Sequence, residues 1–379
     1  LRRIVLVLSA LTLMALLAVI SACEPGGGTG GDSSVTVCGV TKVRSISDDP
    51  GVRGPWAVGS RTVTISGLKT EVWYPSVPGS QGSQAKDWID TREYMPDSNP
   101  VSTDPKFQID SYKGLPLDTS YGPYPVIIYV HGTGSFRTAS HEQCTHWASR
   151  GFVVLCADNP YIMLGDVISG GLTSILRADQ TGDTRKLLAA VRNPPTALSF
   201  LRGYLASDRI GLAGHSAGGS AISGLGSEAG VKVIIPQAAG GVGAGSSVES
   251  ALVMGGLEDD TATARRVRSA YNDITFKKRL VLIPDAGHMV FCNICPIVTG
   301  GGQEQLSGML ESLASDGCGP QYMDPQQSSL IVNFAATAVF EETLMCSERA
   351  AGRIDGISSR FRGVEYAYDP NPSSSGGCD

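Results

Sequence analysis

Arg209-Ile-Gly-Leu-Ala-Gly214-His215-Ser216-Ala217-Gly218-Gly219 is the stretch on which the fold turns. An apolar strand over residues 210–213 runs straight into Gly-x-Ser-x-Gly and then into small residues, 220–227, that read as a helix. A serine at so sharp a strand-to-helix turn is strained outward, and glycines flank it because a Cβ there would strike the neighbouring strand or helix. The pentapeptide alone arises by chance in a chain with 47 glycines among 379 residues. Its surroundings give it weight.

Those surroundings alternate. Short apolar runs of the kind buried parallel strands show occur at 126–130, 152–156, 210–213, 231–236, 251–254 and 279–283. Helical stretches lie between them at 186–205, broken at Pro194-Pro195, and at 261–271; one long helix is expected over 326–349. Residues 61–66 and 68–74 read as an opening β-pair around a Gly turn. Strands alternating with helices predict an α/β fold, with a mostly parallel central sheet covered by helices on both faces. Ligands in such sheets bind at the carboxyl ends of the strands. Residues 75–122 are Pro-, Asp-, Ser- and Gly-rich and read as a long surface loop carrying Trp88, Tyr94 and Tyr112, a candidate lid over the site.

A serine hydroxyl is a poor nucleophile until a base takes its proton, and the usual base is a histidine oriented by a carboxylate. In the strand-elbow arrangement the chain order is Ser, acid, His. Of five histidines, His131, His141, His146, His215 and His288, only His288 follows Ser216. It stands in Pro284-Asp-Ala-Gly-His288, directly after the apolar run 279–283, which places it at a strand's carboxyl end. Seven acids lie between Ser216 and His288. Glu228 belongs to the elbow helix, Glu249 precedes a strand, Asp273 is late in a helix and Asp285 is too near His288. The cluster Glu258-Asp259-Asp260 follows the run 251–254 and survives. Asp260, the last acid before the helix, is the expected triad acid, with Asp259 its close competitor and a helix N-cap the alternative role for either.

The oxyanion hole is expected from the N–H after the nucleophile and one from the turn after an earlier strand. Residues 126–130 lead into His131-Gly132-Thr133-Gly134, which nominates the Thr133 and Ala217 amides as donors, with His131 stabilising the turn.

At the start of the chain, Arg2 and Arg3 precede an apolar run over 4–20 and then Ile20-Ser21-Ala22-Cys23, the order of a secretory signal. Ile-Ser-Ala-Cys resembles the lipobox of bacterial lipoproteins. The resemblance implies cleavage after residue 22, lipidation of Cys23 and attachment to a membrane in the bacterial envelope. Residues 23–37, rich in Gly, Ser and Thr, read as a flexible tether. Past it there is no internal repeat and no second linker before the Pro/Ser/Gly tail at 369–379, so one domain over 38–368 is expected. Export makes the other eight cysteines disulfide candidates, with no pairing assigned. Cys292-Asn-Ile-Cys295 lacks the second pair that a zinc site needs, so no metal is expected. A net charge of −6 offers no basic footprint for nucleic acid.

The segment His131-Gly-Thr-Gly-Ser-Phe-Arg137-Thr138, with Gly214-His-Ser-Ala-Gly-Gly219 after it and Trp88-Ile-Asp-Thr-Arg-Glu-Tyr94 before it, resembles the platelet-activating-factor acetylhydrolase family of α/β-hydrolases. Gly256-Leu-Glu-Asp-Asp260-Thr261 is similar to the acid loop of cutinase-like polyester hydrolases, whose acid precedes Thr or Ser, and this implies Asp260. The resemblance implies an α/β-hydrolase fold and a serine carboxylic ester hydrolase that works without cofactor, through an acyl-enzyme, on short-acyl or phospholipid-like esters. Two alternatives stand beside it: a cutinase or polyester hydrolase with an open groove, and a catalytically silent surface lipoprotein used as a binding scaffold.

Overall fold

Successive side chains along the central strands point to opposite faces of the sheet, and in this chain both faces are apolar. The computed structural model describes residues 34–39, 41–96, 106–295 and 315–372. The signal segment, Cys23 and Cys378 lie outside the described residues.

The chain opens with a hairpin of β1 (Ser34–Val37) and β2 (Thr41–Arg44). Ten further strands build the main sheet. β3 (Ala57–Ile65) and β4 (Leu68–Ser76) pair antiparallel, and β5 (Trp88–Asp90) and β6 (Lys106–Gln108) form a separate small pair. There follow β7 (Tyr112–Lys113), β8 (Tyr124–Val130), β9 (Val153–Ala157), β10 (Leu205–His215), β11 (Val231–Gln237), β12 (Ser250–Gly256), β13 (Lys278–Ile283) and β14 (Glu365–Asp369). The spatial order is β14-β13-β12-β11-β10-β8-β9-β4-β3-β7, and the strands from β13 to β9 in that order run parallel. β8 is flanked by β9 on one side and β10 on the other, so the winding reverses there. That makes the carboxyl ends of β8 and β10 the natural place for a ligand.

Two cores follow from the period of two. Val126, Ile128, Ile210, Leu212, Val253 and Leu282 face one layer, where α3 (Gln180–Arg192) contributes Leu187, Leu188 and Val191 and α5 (Ala264–Asn272) contributes Val267. Ile127, Tyr129, Leu252, Met254, Val281 and Ile283 face the other, covered by α1 (His141–Ser149) and α6 (Pro325–Leu344). α6 begins where Asp324 accepts from the N–H groups of Gln326 and Gln327, with Pro325 in the first turn where its missing N–H costs nothing. Its Phe340 packs edge-on against Trp147 at 5.2 Å, and burying one such ring contributes about 3 kcal/mol. The sheet, its two helical layers and their connections are an α/β-hydrolase fold.

Several boundaries differ from the sequence reading. The break expected at Pro194-Pro195 is present, the helix ending at Arg192, but the stretch beyond it is only a 3-10 helix over Thr196–Leu201, and Leu205 already belongs to β10. The C-terminal helix expected to reach 349 ends at Leu344; the chain turns through Cys346, φ +54°, into α7 (Glu348–Asp355), capped by Ser347. The tether expected through residue 37 includes a strand, since β1 belongs to the compact unit that begins at Ser34. The expected tail at 369 starts on the last residue of β14, which pairs with β13.

Among the described residues two disulfides, Cys38–Cys346 and Cys295–Cys318, are formed, while Cys144, Cys156 and Cys292 are unbridged. The first ties the β1–β2 hairpin to the end of α6, and bridges of this kind belong to oxidising compartments. Among the described residues no helix is long and apolar enough to cross a membrane.

Candidate active site

The turn after β10 places Ser216 where the sequence motif puts it. Ser216 has φ +54° and ψ −119°, a region a residue with a Cβ occupies only when its surroundings hold it there. Its N–H donates to Gln237 O at 2.9 Å, and α4 (Ala217–Ile222) starts at the next residue. The helix can pass close to β8 because residue 218 is glycine: a Cβ there would stand 2.1 Å from Val130 O. The hydroxyl is thus lifted off the sheet and aimed at a neighbouring loop.

That loop carries His288. Its Nε2 lies 2.9 Å from Ser216 Oγ, and its Nδ1–H donates to Asp259, 3.0 Å from Oδ2 and 3.2 Å from Oδ1. The imidazole and the Asp259 carboxylate are buried. Asp260, the acid expected from the sequence, is exposed, and only its backbone N–H takes part here, donating to Asp316. The reason is local. Asp259 Oδ1 accepts from the N–H groups of Thr261 at 2.8 Å and Ala262 at 2.5 Å, an Asx-type turn that pulls its carboxylate inward and leaves the next side chain facing water. Burial pushes the Asp259 carboxyl up. The His288 hydrogen bond and charge and the two amides outweigh it, holding the group below the usual carboxylate range.

Two further groups bond the backbone of His288, and neither was picked out from the sequence. His215, the variable residue inside the Gly-x-Ser-x-Gly motif, donates from Nε2–H to the carbonyl of His288 at 2.9 Å. Burial first, and the neighbouring His288 second, press its own pKa down to about 3, so it is a neutral donor. Asp316 Oδ1 accepts the His288 N–H at 2.9 Å. Asp316 lies beyond His288 in the chain, outside the Ser-acid-His span that the motif directs attention to. Asp259, His288 and Asp316 have the ligand types of a metal site within 4.8 Å of one another. Their carboxylate oxygens are already engaged by N–H and O–H donors, which is the pattern of a hydrogen-bonded brace.

On the other side of Ser216, Val130 of β8 pairs with Gly214 of β10, so the residues after each strand leave the sheet side by side. This brings the turn holding Thr133 next to Ser216 and Ala217. Ala217 opens a helix, whose first N–H groups have no partner within the helix. His131 stabilises the turn: its Nδ1–H donates to Gly132 O at 2.9 Å, and its Nε2 accepts from the Asn159 N–H at 3.1 Å. Arg137 locks the far end. Its N–H and guanidinium donate to Asp158 at 2.9 and 2.7 Å, and the guanidinium also reaches Glu93 at 3.0 Å.

Trp88 and Tyr94 of the candidate lid take opposite positions. Trp88 is exposed, whereas Tyr94 stacks on Phe136 at 3.9 Å and reaches Thr138 Oγ1 at 3.0 Å, beneath the turn. Tyr112 lies on β7, paired to the sheet edge. The described part of 75–122 therefore braces the turn and the edge; 97–105 lie outside the described residues.

A family model described as platelet-activating factor acetylhydrolase, isoform II, matches residues 42–159. The matched stretch takes in the opening strands, the Trp88–Tyr94 segment and the turn that carries Thr133 and Arg137, and stops before Ser216, Asp259 and His288. Among solved structures, a ferulic acid esterase from Streptomyces cinnamoneus superposes with a TM-score of 0.58 at 18% identity, over 83% of this chain and 97% of that one. At that identity the likeness is one of fold. No curated protein matches the chain.

Proposed function

We propose that the chain is a serine carboxylic ester hydrolase. The observation that carries the reading is the unbroken line from Ser216 Oγ through the His288 ring to Asp259, with contacts of 2.9 and 3.0 Å. In the mechanism that follows, Ser216 Oγ attacks the ester carbonyl as His288 Nε2 takes its proton. Asp259 holds the imidazolium. The Thr133 and Ala217 amides bind the developing oxyanion. His288 then gives the proton to the departing alcohol, and water, deprotonated by His288 in turn, releases the acid from acyl-Ser216. Every proton in the cycle passes through one imidazole.

Short-acyl or phospholipid-like esters are the proposed substrates, supported by the family model over residues 42–159. Turnover of p-nitrophenyl esters of increasing acyl length, with methyl ferulate and a polyester film alongside, tests the class; a rate that does not fall with chain length overturns the short-acyl assignment. Fluorophosphonate labels Ser216 in the native chain, and Ser216→Ala abolishes both labelling and p-nitrophenyl acetate hydrolysis. Full turnover in that variant sinks the assignment. Absence of both labelling and turnover in the native chain favours the scaffold alternative.

Acylation of Cys23 and envelope attachment belong to the same proposal, supported by Ile20-Ser-Ala-Cys23 and by two disulfides. Metabolic labelling with a fatty-acid probe that fails in Cys23→Ser is the expected result. Equal labelling of both forms overturns it.

A further inference from the structure

We propose that Asp316 is a positioning residue, which locks the acid loop and the imidazole loop together so that Asp259 and His288 meet. The proposal rests on the reading of Ser216, His288 and Asp259 as the working triad. Asp316 is buried at 6% exposure, and its two oxygens accept four hydrogen bonds from two different loops. Oδ1 takes the His288 N–H at 2.9 Å. Oδ2 takes the Asp260 N–H at 3.2 Å, the Thr261 N–H at 3.1 Å and the Thr261 hydroxyl at 2.9 Å. Its own carbonyl accepts the Met289 N–H at 2.9 Å.

The same side chain therefore grips the residues on either side of the Asp259–His288 contact. Thr261 N–H is shared between Asp259 and Asp316, so the turn that aims Asp259 inward is itself held by Asp316. The approach is built into the chain at two other places. A Cβ on Gly287 would stand 2.6 Å from Asp316 Oδ1, so only glycine before His288 lets the carboxylate in. On the other side, Cys318 is bridged to Cys295, fixing the segment two residues beyond Asp316 to the loop seven residues beyond His288.

The chemistry requires a carboxylate. Every group pointing at it is a donor, and an ionised carboxyl is acceptor-only, whereas an amide would turn an NH2 group against at least one N–H. Asp316→Asn is thus a nearly isosteric change that breaks the lock. A displacement of about 1 Å between base and nucleophile costs about 10²-fold in rate.

The test uses the full chain with p-nitrophenyl acetate. In Asp316→Asn, kcat falls about 10²-fold with KM within about twofold. The low-field proton resonance of His288 Nδ1–H bonded to Asp259 is lost or broadened. Unchanged kcat with the resonance intact overturns the inference, as does a lowered melting temperature with both of those unchanged, which marks a purely structural carboxylate. Should Asp316→Asn not fold, the pair at position 261 decides. Thr261→Val, which removes one donor, lowers kcat about fivefold, and Thr261→Ser, which keeps it, recovers most of that loss. Equal rates for the two overturn the inference. Ser216→Ala keeps the two readings apart. If turnover does not depend on Ser216, the proposed function falls; if it does and Asp316→Asn turns over normally, only the role of Asp316 falls.

Discussion

The two walls that flank Ser216 are braced by different chemistry. On the Thr133 side, a cation does the holding. Arg137 is nearly buried, pairs with Asp158, reaches Glu93, and sits beside an aromatic stack of Phe136 on Tyr94. On the His288 side, two buried carboxylates hold the loops by accepting N–H and O–H groups, and a disulfide closes the segment behind them. The difference matches what each wall does in the proposed cycle. The turn only has to keep its amides still, and an ion pair with a fixed charge does that. In that cycle the imidazole passes a proton on and must keep its orientation, and the two carboxylates fix it through Nδ1–H and through the backbone N–H of His288.

The largest contrast lies between two adjacent acids. Asp259→Ala lowers kcat about 10⁴-fold, the scale set when a triad acid is lost, while Asp260→Ala stays within about twofold. Equal losses in the two variants would merge the inward and outward faces of this turn. On the cationic wall, Arg137→Leu keeps the backbone N–H bond to Asp158 but leaves that buried carboxylate without its countercharge, and lowers stability by about 3–5 kcal/mol in denaturant unfolding. An unchanged midpoint would mean that the stack and backbone hold the turn unaided. On the other wall, Cys295→Ser with Cys318→Ser opens a bridge of sequence separation 23, removing about 3 kcal/mol by the loop-entropy model, and lowers kcat as Asp316 loosens. A stability loss with kcat intact would separate the bridge from the site.

The effect smallest at neutral pH is in the response to acid. His146 donates from Nε2–H to Pro50 O at 2.8 Å, and burial, the leading cause, presses its pKa down to about 3. Unfolded imidazole titrates near about 6.5, so between those values the unfolded chain binds a proton that the folded chain refuses. His146 thus contributes stability that is complete above about pH 6.5 and is lost as the pH falls toward about 3. His146→Gln removes that proton from the acid limb of the stability curve and makes it shallower; an unaltered slope would show that His146 is not titrating across unfolding.

Much of this was legible before the structure. The six buried runs were found as strands because period and length are local properties, and the meeting of Ser216 with His288 was legible because only one histidine follows that serine. Asp259 and Asp260 could not be told apart from composition or order, since both precede the same helix. The amides of Thr261 and Ala262 separate them, by turning one carboxylate inward. His215 was hidden as the free position of a motif, and Asp316 by standing 28 residues past His288 with no spacing that points back. The cysteine count made eight residues disulfide candidates without pairing them; among the described residues two bridges are formed, and Cys144 and Cys156 instead fill the core as small apolar side chains.

By itself the sequence determined the layering of the sheet, the elbow under Ser216 and which histidine would stand beside it, because steric limits and hydrophobic period act between near neighbours and only one histidine follows that serine. Tertiary structure decided which acid faces the imidazole, what holds the two loops in register and what stiffens the turn opposite. Those choices depend on hydrogen bonds between segments tens of residues apart. A donor or acceptor has no preferred partner until the fold brings one within about 3 Å.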